Sequence, residues 1–340
     1  MKHSIRQFTL GLALLVTSLA IRGLGQSTPQ QVAGTGWQAA TTKTPAVASD
    51  GTNLYIAWTG VSNHEIYFAK FNGTEWTDYQ VVGGSGWTAE TSASPALTFI
   101  GGTYGVLVAW RGLSPNEEIF FSQGYQGTWT KQRTVSGTGW QALTKTAPAV
   151  AFFGGTLFVT WLGAGSPDIW YTWVGLTGDF AMQQKVAGSD PTWTAETDAA
   201  PVLTSFNDPV SDQLENGLFW KGSAAGHIWW SSWGIGWEPQ SEISCPGASS
   251  AQPAAAYFSV FVDLQDSLMV FWKDESDEGI SNQIAGNCGP VSGDGWTAQT
   301  EVAPAAAGSA NASGAATCIL AWVEAATNTI LYIDPTTLHN

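Results

Sequence analysis

Six copies of one unit, short apolar strands set between turn residues, and no sustained helical period predict an all-β fold: a six-bladed β-propeller of four-stranded antiparallel blades. Composition agrees. The chain has 340 residues, with 39 Gly, 19 Trp and only 11% charged residues, whereas soluble domains average about 25% charged. A helical enzyme with a charged surface is therefore not expected. Formal net charge is −15, from 27 acidic and 12 basic residues, so a nucleic-acid binder is excluded by the lack of clustered Lys and Arg.

The first residues read as an address. Lys2 and Arg6 precede an apolar run from Phe8 to Ile21, followed by Gly23 and Gly25. This is the pattern of a secretory signal peptide over residues 1–25, with residues 26–340 forming a single propeller domain. The 14-residue apolar run is short for a transmembrane span, and no membrane insertion is expected. Losing that segment removes three basic residues and no acid, which leaves a net charge of −18.

The repeat is carried by a Pro-Ala or Pro-Val step at Pro45, Pro95, Pro148, Pro201, Pro253 and Pro304, with gaps of 50, 53, 53, 52 and 51 residues. Each copy continues to a strand-ending tryptophan, at Trp58, Trp110, Trp161, Trp220, Trp272 and Trp322. Eight or nine residues later comes an isoleucine: Ile66, Ile119, Ile169, Ile228, Ile280 and Ile330. In the first copy the expected strands are Pro45–Ser49, Leu54–Trp58, Glu65–Phe71 and Trp76–Val82, with turns at Asp50-Gly51 and Asn72-Gly73. The second strands are apolar almost throughout, as in a sheet covered on both faces. Their tryptophans are expected in the core.

Closure is legible at the ends. The sixth copy stops after Ile330–Ile333 without a fourth strand, while Gln30-Gln31-Val32-Ala33-Gly34 matches the end of the third copy's fourth strand, Gln183–Gly188. The N-terminal strand is expected to complete the last blade and so remove the open edges.

Three cysteines are too few for a disulfide framework. Cys318 lies in an apolar run and reads as a buried thiol. Cys245 and Cys288 fall in Gly/Pro-rich connections, where spacing leaves both a disulfide and two free thiols open.

The GW(T/Q)A opening, the Pro-Ala step, the Ile-aromatic strand and the turn Gly127-Thr128-Trp129-Thr130 together resemble sialidase-like propellers and bacterial or fungal lectin propellers. The resemblance covers the whole chain after the leader. For the sialidases it implies an arginine cluster that grips a carboxylate, with a tyrosine nucleophile and acidic partners. Here only Arg111 and Arg133 remain after residue 25, so three converging arginines are impossible.

Tryptophan carries the functional signal. Trp37, Trp87, Trp140, Trp193 and Trp296 open five copies, in the connection from one blade's outer strand to the next blade's inner strand. Three are followed by Glu90, Glu196 and Gln299. Apolar sugar faces stack on aromatic rings while neighbouring polar groups bind hydroxyls. The alternative is that each opening tryptophan wedges between blades. Connectivity puts these openers on the same face as the turn between second and third strands, hence with Arg111, Glu65, Glu118 and Asp168. Trp76, Trp129 and Trp237 begin outer strands and suit either role.

Other chemistry is weakly signalled. The acidic run Asp274–Glu278 reads as a solvated turn, with an oxygen-ligated ion as its alternative, and no metal or other cofactor is expected. No GxSxG occurs. The expected protein is a secreted, non-catalytic carbohydrate binder with repeated weak sites and glycans as partners. A glycoside hydrolase or lyase with one central pocket and a protein-interaction scaffold are the alternatives.

Overall fold

The computed structural model describes residues 28–335, apart from 103, 176–177, 189–192, 209–212, 224–225, 235, 246–247, 259–266, 285–286 and 311–315. The leader expected over residues 1–25 lies outside the described residues. The described residues form six antiparallel blades, with four two-stranded hairpins in the connections between them. Blade one comprises Ala46–Ser49, Leu54–Thr59, Ile66–Phe71 and Trp76–Val81, within a residue of the strands expected at each end.

Blade two has the strands Ala96–Gly101, Gly105–Arg111 and Ile119–Tyr125, with an outer strand broken into Thr128–Trp129 and Arg133–Thr134. The inner two strands of the next three blades are Ala149–Phe153 and Thr156–Leu162, Val202–Asp208 and Gln213–Lys221, Ala254–Phe258 and Ser267–Lys273. Blade six contains Ala305–Ala310, Ala316–Val323 and Ile330–Ile333. Its fourth strand is Gln30–Gln31, with Gln30 opposite Tyr332 and Gln31 opposite Leu331, so the N-terminal clasp forms as expected.

Each first strand packs against those of both neighbours, and Ala305–Ala310 meets Ala46–Ser49 to close the circle. The six repeat prolines converge there around a central cavity of about 90 Å³. Alanine beside proline is what this crowding selects, since larger side chains would overfill the axis.

The second-strand tryptophans Trp58, Trp110, Trp161, Trp220, Trp272 and Trp322 are all buried. Residues near the starts of the outer strands wedge between blades. Trp76 meets Tyr332 of blade six edge-on (5.3 Å between ring centroids, 86° between planes), Trp129 meets Phe68 of blade one (5.3 Å, 82°), and Trp237 meets Tyr171 of blade three (5.5 Å, 86°). Phe180 repeats the contact against Phe121 of blade two (5.7 Å, 87°). Edge-to-face pairs add about 0.5–1.5 kcal/mol beyond their buried area, and here each ties an outer strand to the preceding blade.

Cys245 and Cys288 form a disulfide with Cα atoms 5.8 Å apart. Cys318 is a buried free thiol, raised above its ordinary pKa by that burial. Among the described residues no helix is long and apolar enough to cross a membrane.

Candidate functional site

Every opener ends in the same small device. A hydroxyl at Thr41, Thr91, Thr144, Thr197, Ser249 or Thr300 accepts a hydrogen bond from the backbone N–H two residues on, at 3.0–3.3 Å. This turn fixes the chain as it enters the next inner strand. Counting back four residues from each hydroxyl gives Trp37, Trp87, Trp140, Trp193, Cys245 and Trp296. Blade five therefore carries a cysteine where the other openers carry tryptophan.

Four of the opening tryptophans follow a tight hairpin, as in Gly34 opposite Trp37 and Gly84 opposite Trp87. The indole folds back over that glycine. A Cβ at Gly34, Gly84, Gly137 or Gly293 would lie under 3.0 Å from the indole Nε1, so only glycine fits beneath it. The other neighbour is the buried tryptophan of the following blade: Trp37 on Trp58 (6.1 Å, 15°), Trp87 on Trp110 (6.4 Å, 3°), Trp193 on Trp220 (6.5 Å, 7°) and Trp296 on Trp322 (6.3 Å, 12°). All five opening tryptophans are half-buried. Each packs against a core cluster drawn from two neighbouring blades, so the openers also sit between blades.

The structure brings the openers and the turns between second and third strands together, on one face. Backbone bridges join Glu65 to Glu90, Asp168 to Glu196, Glu118 to Leu143 and Gly279 to Gln299. Side chains extend the contact: Gln141 Nε2 donates to Glu118, and Gln38 Nε2 donates to Thr329 Oγ1 at 3.1 Å. Glu65 accepts from Asn63 Nδ2 at 2.5 Å and from the Tyr67 hydroxyl at 3.0 Å. Burial, with that carboxylate beside it, raises the Tyr67 phenol above its ordinary pKa. Lys185 pairs with Asp168 at 2.9 Å, which holds the Asp168 carboxyl below its ordinary range.

Arg111 contacts the openers directly. Its guanidinium donates to Ser92 Oγ and, at 3.0 Å, to the carbonyl of Lys145, joining two successive openers. Lys221 occupies the same strand-end position in blade four and pairs with Asp198 at 2.6 Å. These cations brace the openers near the inner strands.

The sequence reading missed the third-strand aromatics. Tyr67, Phe120, Trp170 and Trp229 each follow the repeat isoleucine, and all four are half-buried. A glycine just after the second strand makes room for each: a Cβ at Gly60, Gly112, Gly163 or Gly222 would come under 3.0 Å from that ring. The signal was present as the Ile-aromatic step, but it looked like strand alternation. Between blades three and four these parts surround a cleft of about 350 Å³, lined by Trp220 and Trp229 with Thr194, Glu196, His227 and Glu242. His227 Nδ1 contacts the Glu242 carboxylate at its rim. Trp193 does not line this cleft; it stacks on Trp220, which does.

Among the described residues no group of three or more His, Cys, Asp or Glu gathers where it could hold a metal ion. The run from Asp274 folds on itself, with Gly279 N–H donating to Asp277 at 2.6 Å and Ser281 to Asp274 at 2.8 Å.

No known family's sequence profile matches the chain, and neither does any curated protein. Solved structures do resemble it. AofleA from Arthrobotrys oligospora superposes with a TM-score of 0.62 over 90% of both chains at 13% identity. The SapL1 lectin in complex with alpha methyl fucoside gives 0.57 at 12% identity, over 84% of this chain and 90% of that one. NanB sialidase from Streptococcus pneumoniae gives 0.56 at 9% identity, over 90% of this chain and 70% of that one. The likeness is one of fold: a propeller of the kind used by both lectins and sialidases.

Proposed function

We propose that the protein is a secreted lectin that binds glycans in the clefts between neighbouring blades and does no chemistry on them. One observation carries this reading: the cleft between blades three and four sets the half-buried Trp229 indole beside carboxylates, an imidazole and a hydroxyl, the combination that a sugar ring with an apolar face and polar edges requires. The pairing of opening tryptophan and third-strand aromatic recurs in blades one to four, which supports several weak sites acting together. The SapL1 likeness makes fucosides the first probes. The disulfide supports an oxidising compartment and hence secretion, and the acidic surface favours neutral over sialylated or sulfated glycans. Pro, Ala, Val and Leu dominate the lining of the central cavity, which includes no carboxylate, and this weighs against a hydrolase built there.

The test is a glycan array probed with the purified protein, followed by calorimetry with methyl fucoside. Weak monosaccharide binding, millimolar or about −4 kcal/mol, with much stronger capture of dense glycan surfaces is expected. A blank array would end the lectin reading.

A further inference from the structure

On the opposite face, blades one and two enclose a cavity of about 360 Å³. Its place follows from connectivity. It is walled by the turns between first and second strands and by the turn joining third to fourth strands in blade two, which close at the far end from the openers. The volume falls in the range of about 300–1,000 Å³ typical of small-molecule sites.

The walls are aromatic and the rim is polar. Tyr55 of blade one and Phe99 of blade two lie parallel at 6.0 Å and 6°. Asp50 also lines the space, but its carboxylate is used by its own turn: it accepts from Thr52 N–H at 2.8 Å, Asn53 N–H at 2.6 Å and the Tyr55 hydroxyl at 2.6 Å. Its role is to hold the Tyr55 ring. Lys70, Asp78 and Gln80 line the cavity too, and within the described residues their side chains make no hydrogen bond or ion pair with the protein. Blade two contributes Gly105, Gly124 and Gly127 to the lining; the Trp129 ring covers Gly124, and only Gly127 of the three faces open space. A Cβ at Gly105 would strike the Gly124 carbonyl.

A bulge aims Asp78 here. The register of blade one's outer strand shifts between the partners Phe68 and Lys70, and Asp78 sits in the bulge at φ 56°. Trp76 packs on Tyr332 of blade six and Tyr79 on Trp37 and Tyr67, all on one side of the sheet, three residues apart, which regular alternation forbids. Asp78 is turned to the other side, into the cavity.

We propose that this cavity is a second ligand site, for one or two neutral or amine-bearing sugar residues stacked on the Tyr55–Phe99 wall, with hydroxyls bound by Lys70, Asp78 and Gln80. The carboxylates of Asp50 and Asp78 outnumber the Lys70 ammonium, which disfavours anionic sugars. The proposal rests on the lectin reading and extends it: a ring that binds glycans on both faces bridges two glycan surfaces.

The experiment is an array of neutral and amino-sugar glycans probed with the wild type, with Gln80→Trp to fill the cavity, with Asp78→Asn to remove the charge at nearly constant shape, and with Trp229→Ala in the cleft on the other face. Both cavity variants should weaken one set of glycans about tenfold or more, and Trp229→Ala should bind that set as the wild type does. If Gln80→Trp fails to fold, Asp78→Asn decides. Cavity variants that melt with the wild type and give its array profile unchanged would overturn the second site alone, while a blank wild-type array would remove the lectin reading beneath it.

Discussion

Trp37 and Tyr79 lie face to face, 4.6 Å between ring centroids and 11° between planes. Tyr79 continues the stack onto Tyr67 at 5.6 Å and 3°. The Trp37 face is thus covered by an aromatic ring of the chain itself. The equivalent pairs Phe68–Gln80 and Asn282–Gly289 put Cys288 in blade five at the place of Tyr79, and Cys245 stands where Trp37 does. One blade fills the position with a ring stack and the other with a covalent link.

Replacing Tyr79 by alanine should uncover the Trp37 face and add about one site per molecule by calorimetry with methyl fucoside. Tyr79 is 44% exposed, so the stability cost should stay below about 1.5 kcal/mol. Unchanged stoichiometry with weaker binding would make Tyr79 itself a platform.

Trp229 and Trp220 line one cleft with different duties. Trp229→Ala should remove one site of several and leave melting nearly unchanged, because the ring is half-buried. Trp220→Ala should cost about 3–5 kcal/mol, since it empties a buried indole from the core. Equal melting losses in the two variants would show that Trp229 is structural.

The Cys245–Cys288 bond spans 43 residues, for which chain-entropy reasoning gives about 4 kcal/mol. Reductant should lower the melting temperature of the wild type by several degrees and leave the double serine variant unmoved. Glycan binding at the other clefts should survive in both.

Sialosides should not be hydrolysed despite the fold shared with a sialidase. Arg133 lies in the outer strand of blade two, 5.4 Å over the Phe121 ring, while Arg111 braces openers near the inner strands. The two do not converge on one carboxylate. Turnover of a fluorogenic sialoside above that of a heat-inactivated control would contradict this.

At Asp50, burial favours the neutral acid, but hydrogen bonds from Tyr55, Asn53 and the backbone outweigh it and hold the carboxyl below its ordinary pKa. A carboxyl with a depressed folded pKa stabilises the protein above its unfolded pKa, near 4, and loses that contribution as pH falls through the folded value. The melting difference between wild type and Asp50→Asn should therefore be present at pH 7 and shrink steadily below about pH 4. A constant gap down to pH 2 would assign the effect to shape.

The blade pattern was legible because every copy must solve the same packing problem. The Pro-Ala or Pro-Val step beside the axis, the tryptophan ending the second strand and the isoleucine after it recur in every copy, with gaps of 50 to 53 residues between prolines. The closing strand was legible because Gln30–Gly34 duplicates a fourth strand. Tyr79 was not, because its direction depends on a bulge at Asp78 that breaks the two-residue alternation. The disulfide was undecided for a related reason: Cys245 aligns with an opening tryptophan only once the Ser249 turn is seen, and Cα separation is not written in spacing. Trp229 and its equivalents were hidden by looking like ordinary strand residues, and the glycines that clear their rings lie several residues upstream.

The pairing of Gln31 with Leu331 gives the molecule a seam. Gln30–Gln31 and Ile330–Ile333 share one sheet, so the circle is complete in space although the polypeptide is linear. Any other junction between blades would serve equally well as the place to begin and end, and a circular permutant that joins the present termini and opens elsewhere keeps every ladder but one. The seam also sets the order of assembly during synthesis: blade six cannot be finished until its last-made strands reach the first-made one, and until then the nascent ring carries two unpaired edges.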